Sequence, residues 1–334
     1  MVQSLSLRTQ CLFRVARRGG FMVLVSFAGA CSSDALTSSV SRQWMVESSG
    51  TTQNLLGIWG SSSRDLFAVG EGGTILHYDG SSWSAQSSGT TAELWRVWGS
   101  SPTDVYAVGQ SVMLHFDGTK WSRQGALPQS NLYGLWGESS GDVFAVGQTA
   151  SVAALVLRYD RTSWSAETLA TGPALWGVWG SSSSDVIAVG PGVWRYNGSR
   201  WTVEHVVDPS WILWGVWGSS ATDALAVGAV LDGFGGATSV ILHYDGARWS
   251  RVSNAVITNL HLRGIWGASS NDVFAVGSPA TGDGGQLVGT ILHYNGRWWS
   301  REQAGTVGPL AAVWGSGNDV FAVGGSGLIV HGFK

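Results

Sequence analysis

Apolar residues along this chain fall in short runs of four to six, rich in β-branched and aromatic side chains, and each run is closed by Gly, Ser, Asp or Asn. That pattern predicts short strands joined by tight turns. Few stretches carry the spacing of an amphipathic helix, and glycine recurs too often for one. The runs also repeat. Trp-Gly stands at Trp59, Trp98, Trp136, Trp179, Trp217, Trp266 and Trp314, and Ala-Val-Gly begins at Ala68, Ala107, Ala145, Ala188, Ala226, Ala275 and Ala322. A third motif, close to Leu-His-Tyr-Asp-Gly-x-x-Trp, ends at Trp83, Trp121, Trp164, Trp201, Trp249 and Trp299. Each unit therefore holds four predicted strands: A around Leu-x-Gly-Ile-Trp, B at Asp-Val-Phe-Ala-Val, C at Thr-Ile-Leu-His-Tyr and D at Trp-Ser-x-Glu.

Residues 42–334 shared among seven units give about 42 residues each, the size of a four-stranded propeller blade. The two ends of this span complement each other. The last unit stops after strand C, while an orphan D-like piece, Trp44 to Glu47, precedes the first unit. Pairing the two closes a ring and removes open sheet edges, whereas an open solenoid would carry dissimilar caps. The chain is thus expected to be all-β: a seven-bladed β-propeller with four antiparallel strands per blade and a three-plus-one closure by the N-terminal strand.

Loop lengths separate two faces. Trp-Gly to Ala-Val-Gly is nine residues in six units and eight in the last, and the strand-C aromatic to the strand-D Trp is always five. The B–C loops absorb the variation, with insertions at Ala229–Ser239 and Ser278–Gly289. Up-and-down topology puts B–C and D–A loops on one face, so that face is the candidate working surface. Neutral drift in tolerant loops is the competing reading.

Most polar residues repeat with the units, which argues for structural roles. Asp65, Asp104, Asp142, Asp185, Asp223, Asp272 and Asp319 close the A–B turns, where a carboxylate is expected to accept local backbone N–H bonds. Asp79, Asp117, Asp160 and Asp245, with Asn197 and Asn295, stand in the C–D turn. His77, His115, His243, His293 and His331 share one strand-C position that Arg158 and Arg195 fill elsewhere. Spread around a ring, they read as hydrogen-bond donors within each blade, not as metal ligands. Asp232 and Asp283, each followed by Gly, read as turns because no full calcium loop surrounds them. No metal or cofactor is expected.

One position breaks the symmetry. Three residues before each Trp of Trp-Gly stand Leu56, Trp95, Tyr133, Trp176, Trp214, Arg263 and Ala311. This is the start of the innermost strand, near the variable face. The candidate ligand-binding residues are Trp95, Arg96, Tyr133, Trp176, Trp211, Trp214 and Arg263, an aromatic arc with two arginines. Packing between blades is the alternative role for the same side chains.

Composition and charge narrow the partners. Trp occurs 20 times, and only 12% of residues are charged, so long disorder is excluded. Against 22 Asp+Glu there are 19 Lys+Arg, which leaves no basic surface for nucleic acid. Four arginines, Arg8, Arg14, Arg17 and Arg18, precede an apolar run, Phe21 to Phe27, and then Ala28-Gly29-Ala30-Cys31. A basic stretch, a short apolar stretch and a small-residue site predict a signal peptide over 1–30. The sequence around Cys31 resembles a bacterial lipobox, which implies an acylated Cys31 and a Ser/Thr-rich tether over 31–41, with the membrane met through the lipid alone. Ser32 after the Cys resembles an outer-membrane address in a Gram-negative envelope. Without acylation, a periplasmic or secreted location is expected.

The string FAVGxxGTILHYDGxxW, at Phe67–Trp83, resembles the repeats of bacterial secreted propellers, and is similar to Asp-box propellers and to the seven-bladed photosystem II assembly-factor propellers. The chain departs from the Asp box in placing Trp83 four residues after Asp79, and it lacks the sialidase Arg-Ile-Pro signature. The resemblance covers most of 42–334 and implies a propeller that hosts scaffolds and enzymes alike. The carboxylates outside the repeats show no acid/base pair. The expected function is therefore a non-enzymatic, lipid-anchored binding scaffold for a protein partner or surface glycan. The alternative is a glycan-active hydrolase or lyase of Asp-box type.

Overall fold

The computed structural model describes residues 42–334 except 126–128, 170–173, 207, 209, 232–236, 254–258, 280–287 and 306–307. The expected signal peptide, Cys31 and its tether, Asp232, Asp283 and parts of both B–C insertions lie outside the described residues. Strand β1 (Gln43–Glu47) precedes the first complete blade, which comprises β2 (Leu55–Ser62), β3 (Asp65–Gly70), β4 (Ile75–Tyr78) and β5 (Trp83–Gln86). These four strands pair in chain order and all antiparallel. Five more sheets repeat the order A-B-C-D, their innermost strands being β6 (Leu94–Ser101), β10 (Ser130–Ser139), β14 (Gly177–Ser182), β18 (Trp211–Ser220) and β22 (Leu260–Ser269). The seventh joins β26 (Leu310–Ser316), β27 (Asp319–Gly324) and β28 (Ile329–Phe333) to β1, with Trp44 opposite Gly332 and Glu47 opposite Ile329. The protein is a seven-bladed β-propeller closed three-plus-one by its N-terminal strand.

The core lies between blades. Phe67 and Val69 of the first blade pack with Leu94, Val105 and Leu114 of the second. Leu55 and Leu66 pack with Phe321 and Ile329 of the seventh, which completes the circle. A blade alone would leave one face of each strand pair bare, so the ring is the unit that buries apolar surface.

The Trp-Gly dipeptide has a physical reason in this packing. A Cβ added to Gly60 would lie 2.9 Å from the Trp314 ring, one added to Gly99 would lie 2.7 Å from Trp59, and one added to Gly315 would lie 2.7 Å from Trp266. Gly137, Gly180, Gly218 and Gly267 meet Trp98, Trp136, Trp179 and Trp217 in the same way. The tryptophan of each blade thus rests on the glycine of the next, all the way round.

Hydrogen bonds also join the outer strands of four pairs of neighbouring blades. The indole Nε1 of Trp83 donates to Glu47 of the preceding blade at 2.7 Å, Trp121 to Gln86 at 2.7 Å, Trp249 to Glu204 at 3.1 Å and Trp44 to Glu302 at 3.3 Å. In the C–D turn the Asp79 Oδ1 accepts the backbone N–H of Ser81 at 2.8 Å and of Ser82 at 2.9 Å, and Asn197 accepts the equivalent bonds. With the Ser81 hydroxyl leading, these donors hold the Asp79 carboxyl down to about 2.

The A–B aspartates differ in detail from expectation. Among the described residues their carboxylates take side-chain donors in place of the expected backbone N–H groups. Asp65 accepts the Ser61 hydroxyl at 2.5 Å and His77 Nε2 at 2.7 Å. Asp185 is gripped by Arg195 at 2.6 Å. The strand-C donor reaches across strand B because its ring lies on the strand-B aromatic, with Phe67 and His77 centroids 4.5 Å apart. The repeated His and Asp are one lock joining strand C to the A–B turn.

Candidate functional site: the mouth of the central channel

The innermost strands meet around a channel. One repeat position lines it from six blades, as Gly134, Gly177, Gly215, Gly264, Ala312 and Arg96, while the first blade, with Gly57 at that position, lines it with Ile58. At Gly57 the neighbouring backbone approaches closely, and an added Cβ would sit 2.9 Å from the Trp95 carbonyl oxygen. A space of about 130 Å³ lies among these residues.

Immediately before that glycine position, each of six A strands carries a β-bulge. The register shifts lie between Leu55 and Gly57, Leu94 and Arg96, Leu132 and Gly134, Leu213 and Gly215, Leu262 and Gly264, and Leu310 and Ala312. The extra residue in each is the one that breaks the repeat symmetry: Leu56, Trp95, Tyr133, Trp214, Arg263 and Ala311. A bulged residue is released from the ladder and re-aimed. In the fourth blade Trp176 precedes β14, its N–H bonded to Val189 at 2.7 Å. The result is a single cavity of about 370 Å³ at the channel mouth, lined by all seven of these residues with Arg96, Glu71 and Glu93. Glu71 follows β3 and Glu93 precedes β6, so the cavity opens on the B–C/D–A face.

Six of the seven candidate residues converge here. Trp95 and Tyr133 lie 4.7 Å apart, and Tyr133 stacks on Trp176 at 4.1 Å. Trp214 is flanked by His261, stacked at 5.8 Å, and by the Arg263 guanidinium at 5.4 Å. Trp211 does not join them. It pairs with Val230 in the extended fifth-blade hairpin, packs against that blade's core and lies under the Arg251 guanidinium at 5.3 Å. Being outside the bulge, it keeps the ladder's alternation and is carried away from the axis. Glu71 and Glu93, both carboxylates outside the repeats, also line the site, brought together by the stacking of the second blade on the first. Glu93 accepts the Trp95 indole N–H at 3.0 Å, and Glu71 accepts the Asn54 amide at 2.9 Å.

Among the described residues no group of His, Cys, Asp and Glu is placed to hold a metal, and no helix is long and apolar enough to cross a membrane. A larger groove of about 620 Å³, between the fifth and sixth blades, is lined by Asp223, His243 and the exposed Trp298. A similar one of about 540 Å³ lies between the first and second blades beside Asp65 and His77. Repetition of the same lock residues makes both a consequence of blade geometry, whereas the mouth is built from what the blades do not share.

No family model and no curated protein matches the chain. Solved structures do. The structure of YCF48 bound to D1 peptide superposes with a TM-score of 0.65 at 17% identity, over 87% of this chain and 97% of that one. Virginiamycin B lyase from Staphylococcus aureus gives 0.69 at 11% identity, over 88% and 99%, and the WD40 propeller domain of Doa1 gives 0.66 at 12%, over 88% and 97%. At these identities the likeness is one of fold.

Proposed function

We propose that the protein is a non-catalytic binding propeller that holds a segment of a partner protein at the mouth of its central channel. The observation that carries this is the collection of the seven symmetry-breaking residues, six of them by bulges in the A strands, into one cavity of about 370 Å³. Half-buried aromatics at such a site supply rigid contact area at low entropic cost. A polypeptide fits better than a sugar. Sugar platforms need open ring faces, and here Trp95, Tyr133 and Trp176 cover one another while His261 and Arg263 flank Trp214. A fold neighbour seen with a peptide agrees with this reading. The hydrolase or lyase alternative has less to use, because both mouth carboxylates already hold neighbouring side chains. The proposal extends to location: acylated Cys31 and the tether over 31–41 hold the propeller on an envelope membrane, resting on the leader-like sequence before them.

The test is retention on the purified chain of a random peptide library beside an array of envelope glycans and peptidoglycan fragments, with product release read in parallel. Peptide binding that falls at least tenfold in Trp176→Ala/Trp214→Ala, in a variant that still melts cooperatively, is the expected result. Retention of glycans alone, cleavage products, or undiminished binding by the double variant would overturn it.

A further inference from the structure

The mouth holds two arginines that are not ion-paired among the described residues. Arg96 occupies a position that is Gly in five blades and Ala in another, so its side chain fills channel space that the other blades leave open. Its Nη1 donates to the carbonyl oxygens of Leu56 at 3.0 Å and Trp95 at 2.9 Å, and its Nε and Nη2 hydrogens have no acceptor among the described residues. Arg263, at the rim, lies over Trp214 and donates no hydrogen bond there. Neither guanidinium has a carboxylate within ion-pair distance among the described residues. Glu71 and Glu93 line the same cavity but are bonded to Asn54 and Trp95. By contrast, Arg195, on an outer strand, is paired with both Asp185 and Glu204. Enclosure pulls Arg96 down to about 10, with the nearby Arg263 adding to it, so it stays charged at neutral pH. An enclosed cation with unspent donors and no carboxylate paired to it is costly in the empty protein, and that cost is offset when a fitting anion binds it directly.

Resting on the peptide-binding reading, we infer that the bound segment enters the mouth with a carboxylate, which Arg96 and Arg263 take between them while its apolar neighbour lies against Trp214 and Trp176. The planar donors of arginine suit a carboxylate in bidentate geometry. Below the mouth the free space narrows from about 370 to about 130 Å³, which favours a chain end or a single side chain over a running backbone. A C-terminal carboxylate and an Asp or Glu side chain share this chemistry.

The experiment uses the peptides retained from the library, resynthesised in matched forms: free C-terminus, C-terminal amide, and each Asp or Glu replaced by Asn or Gln. Affinity is measured on the wild-type chain, Arg96→Gly and Arg263→Leu. Both substitutions install residues that other blades carry at the same position, Gly57 and Leu56, so the fold is kept. The expected result is a tenfold or greater loss on neutralising one carboxylate, with little further loss from that change in Arg96→Gly. A loss with the C-terminal amide assigns the chain end, and a loss with Asn or Gln assigns a side chain. Tight peptides indifferent to every neutral replacement, or bound equally by Arg96→Gly, would overturn this inference while leaving the peptide-binding reading intact. Retention of no peptide at all would overturn both.

Discussion

Closure of the ring predicts a pH signature that can be worked from one residue. Glu47 on β1 accepts the Trp83 indole at 2.7 Å and His331 Nδ1 at 2.9 Å, while His331 Nε2 donates to Asp319 at 2.9 Å. Burial alone would lower the His331 imidazole, but the bonds to Glu47 and Asp319 outweigh it and hold the ring above its ordinary 6.5. Burial likewise would raise Glu47, but the His331 and Trp83 donors prevail and hold it below 4.5. His331 therefore contributes stability fully below about pH 6.5 that is lost as pH rises through its higher folded value. Glu47 contributes stability above 4.5 that is lost as pH falls through its lower folded value. Glu47→Ala removes two hydrogen bonds to a charged acceptor that is mostly buried, a loss of about 3 kcal/mol. At about 2 °C per kcal/mol for a domain of this size, Tm falls by about 6 °C. Circular dichroism melts of wild type, Glu47→Ala and Glu47→Gln between pH 5 and 9 read this directly. Wild-type Tm should decline between pH 6.5 and 9, and Glu47→Gln should shrink that decline without abolishing it. The remainder comes from Asp319, which still holds His331, and from His293, raised in the same way between Asp272 and Glu302. An unchanged Tm in Glu47→Ala at pH 6, or a pH slope identical in Glu47→Gln, would refute the reasoning.

Two other outcomes follow from the same structure. Gly60→Ala places a methyl group 2.9 Å from the Trp314 ring and should destabilise the propeller by about 1–3 kcal/mol, measured by denaturant unfolding; a neutral result would show that the Trp-on-Gly ring yields easily. Cys31→Ala should abolish metabolic incorporation of labelled palmitate and release the protein from membranes, and label retained in that variant would remove the lipid anchor from the proposal.

The repeat was legible because the ring imposes the same demand seven times: a tryptophan on the next blade's glycine, an aspartate under a strand-C histidine or arginine, an Asx turn before the strand-D tryptophan. Closure was legible because Trp44 to Glu47 carries the missing strand's own pattern. The site was half legible. That Leu56, Trp95, Tyr133, Trp176, Trp214, Arg263 and Ala311 depart from the repeat can be read from aligned units. That six of them face the axis depends on bulges, which are a property of strand register, and Trp176 reaches it from the segment just before its strand. The same blindness grouped Trp211 with Trp214, though one bulge sends only Trp214 inward. Glu71 and Glu93 stood out only as carboxylates outside the repeats; that they share the mouth follows from the stacking of the first two blades, which the sequence pattern does not measure.

The central claim is that ligand binds at the mouth and not in the grooves between blades. Labelling the chain with 5-fluorotryptophan and recording fluorine spectra with a library-selected peptide separates these directly, with resonances assigned by single Trp→Phe substitutions. The account predicts shifts at Trp95, Trp176 and Trp214, with the Trp-Gly tryptophans and Trp298 unmoved. Shifts at Trp298 and Trp299 with a silent mouth would contradict it.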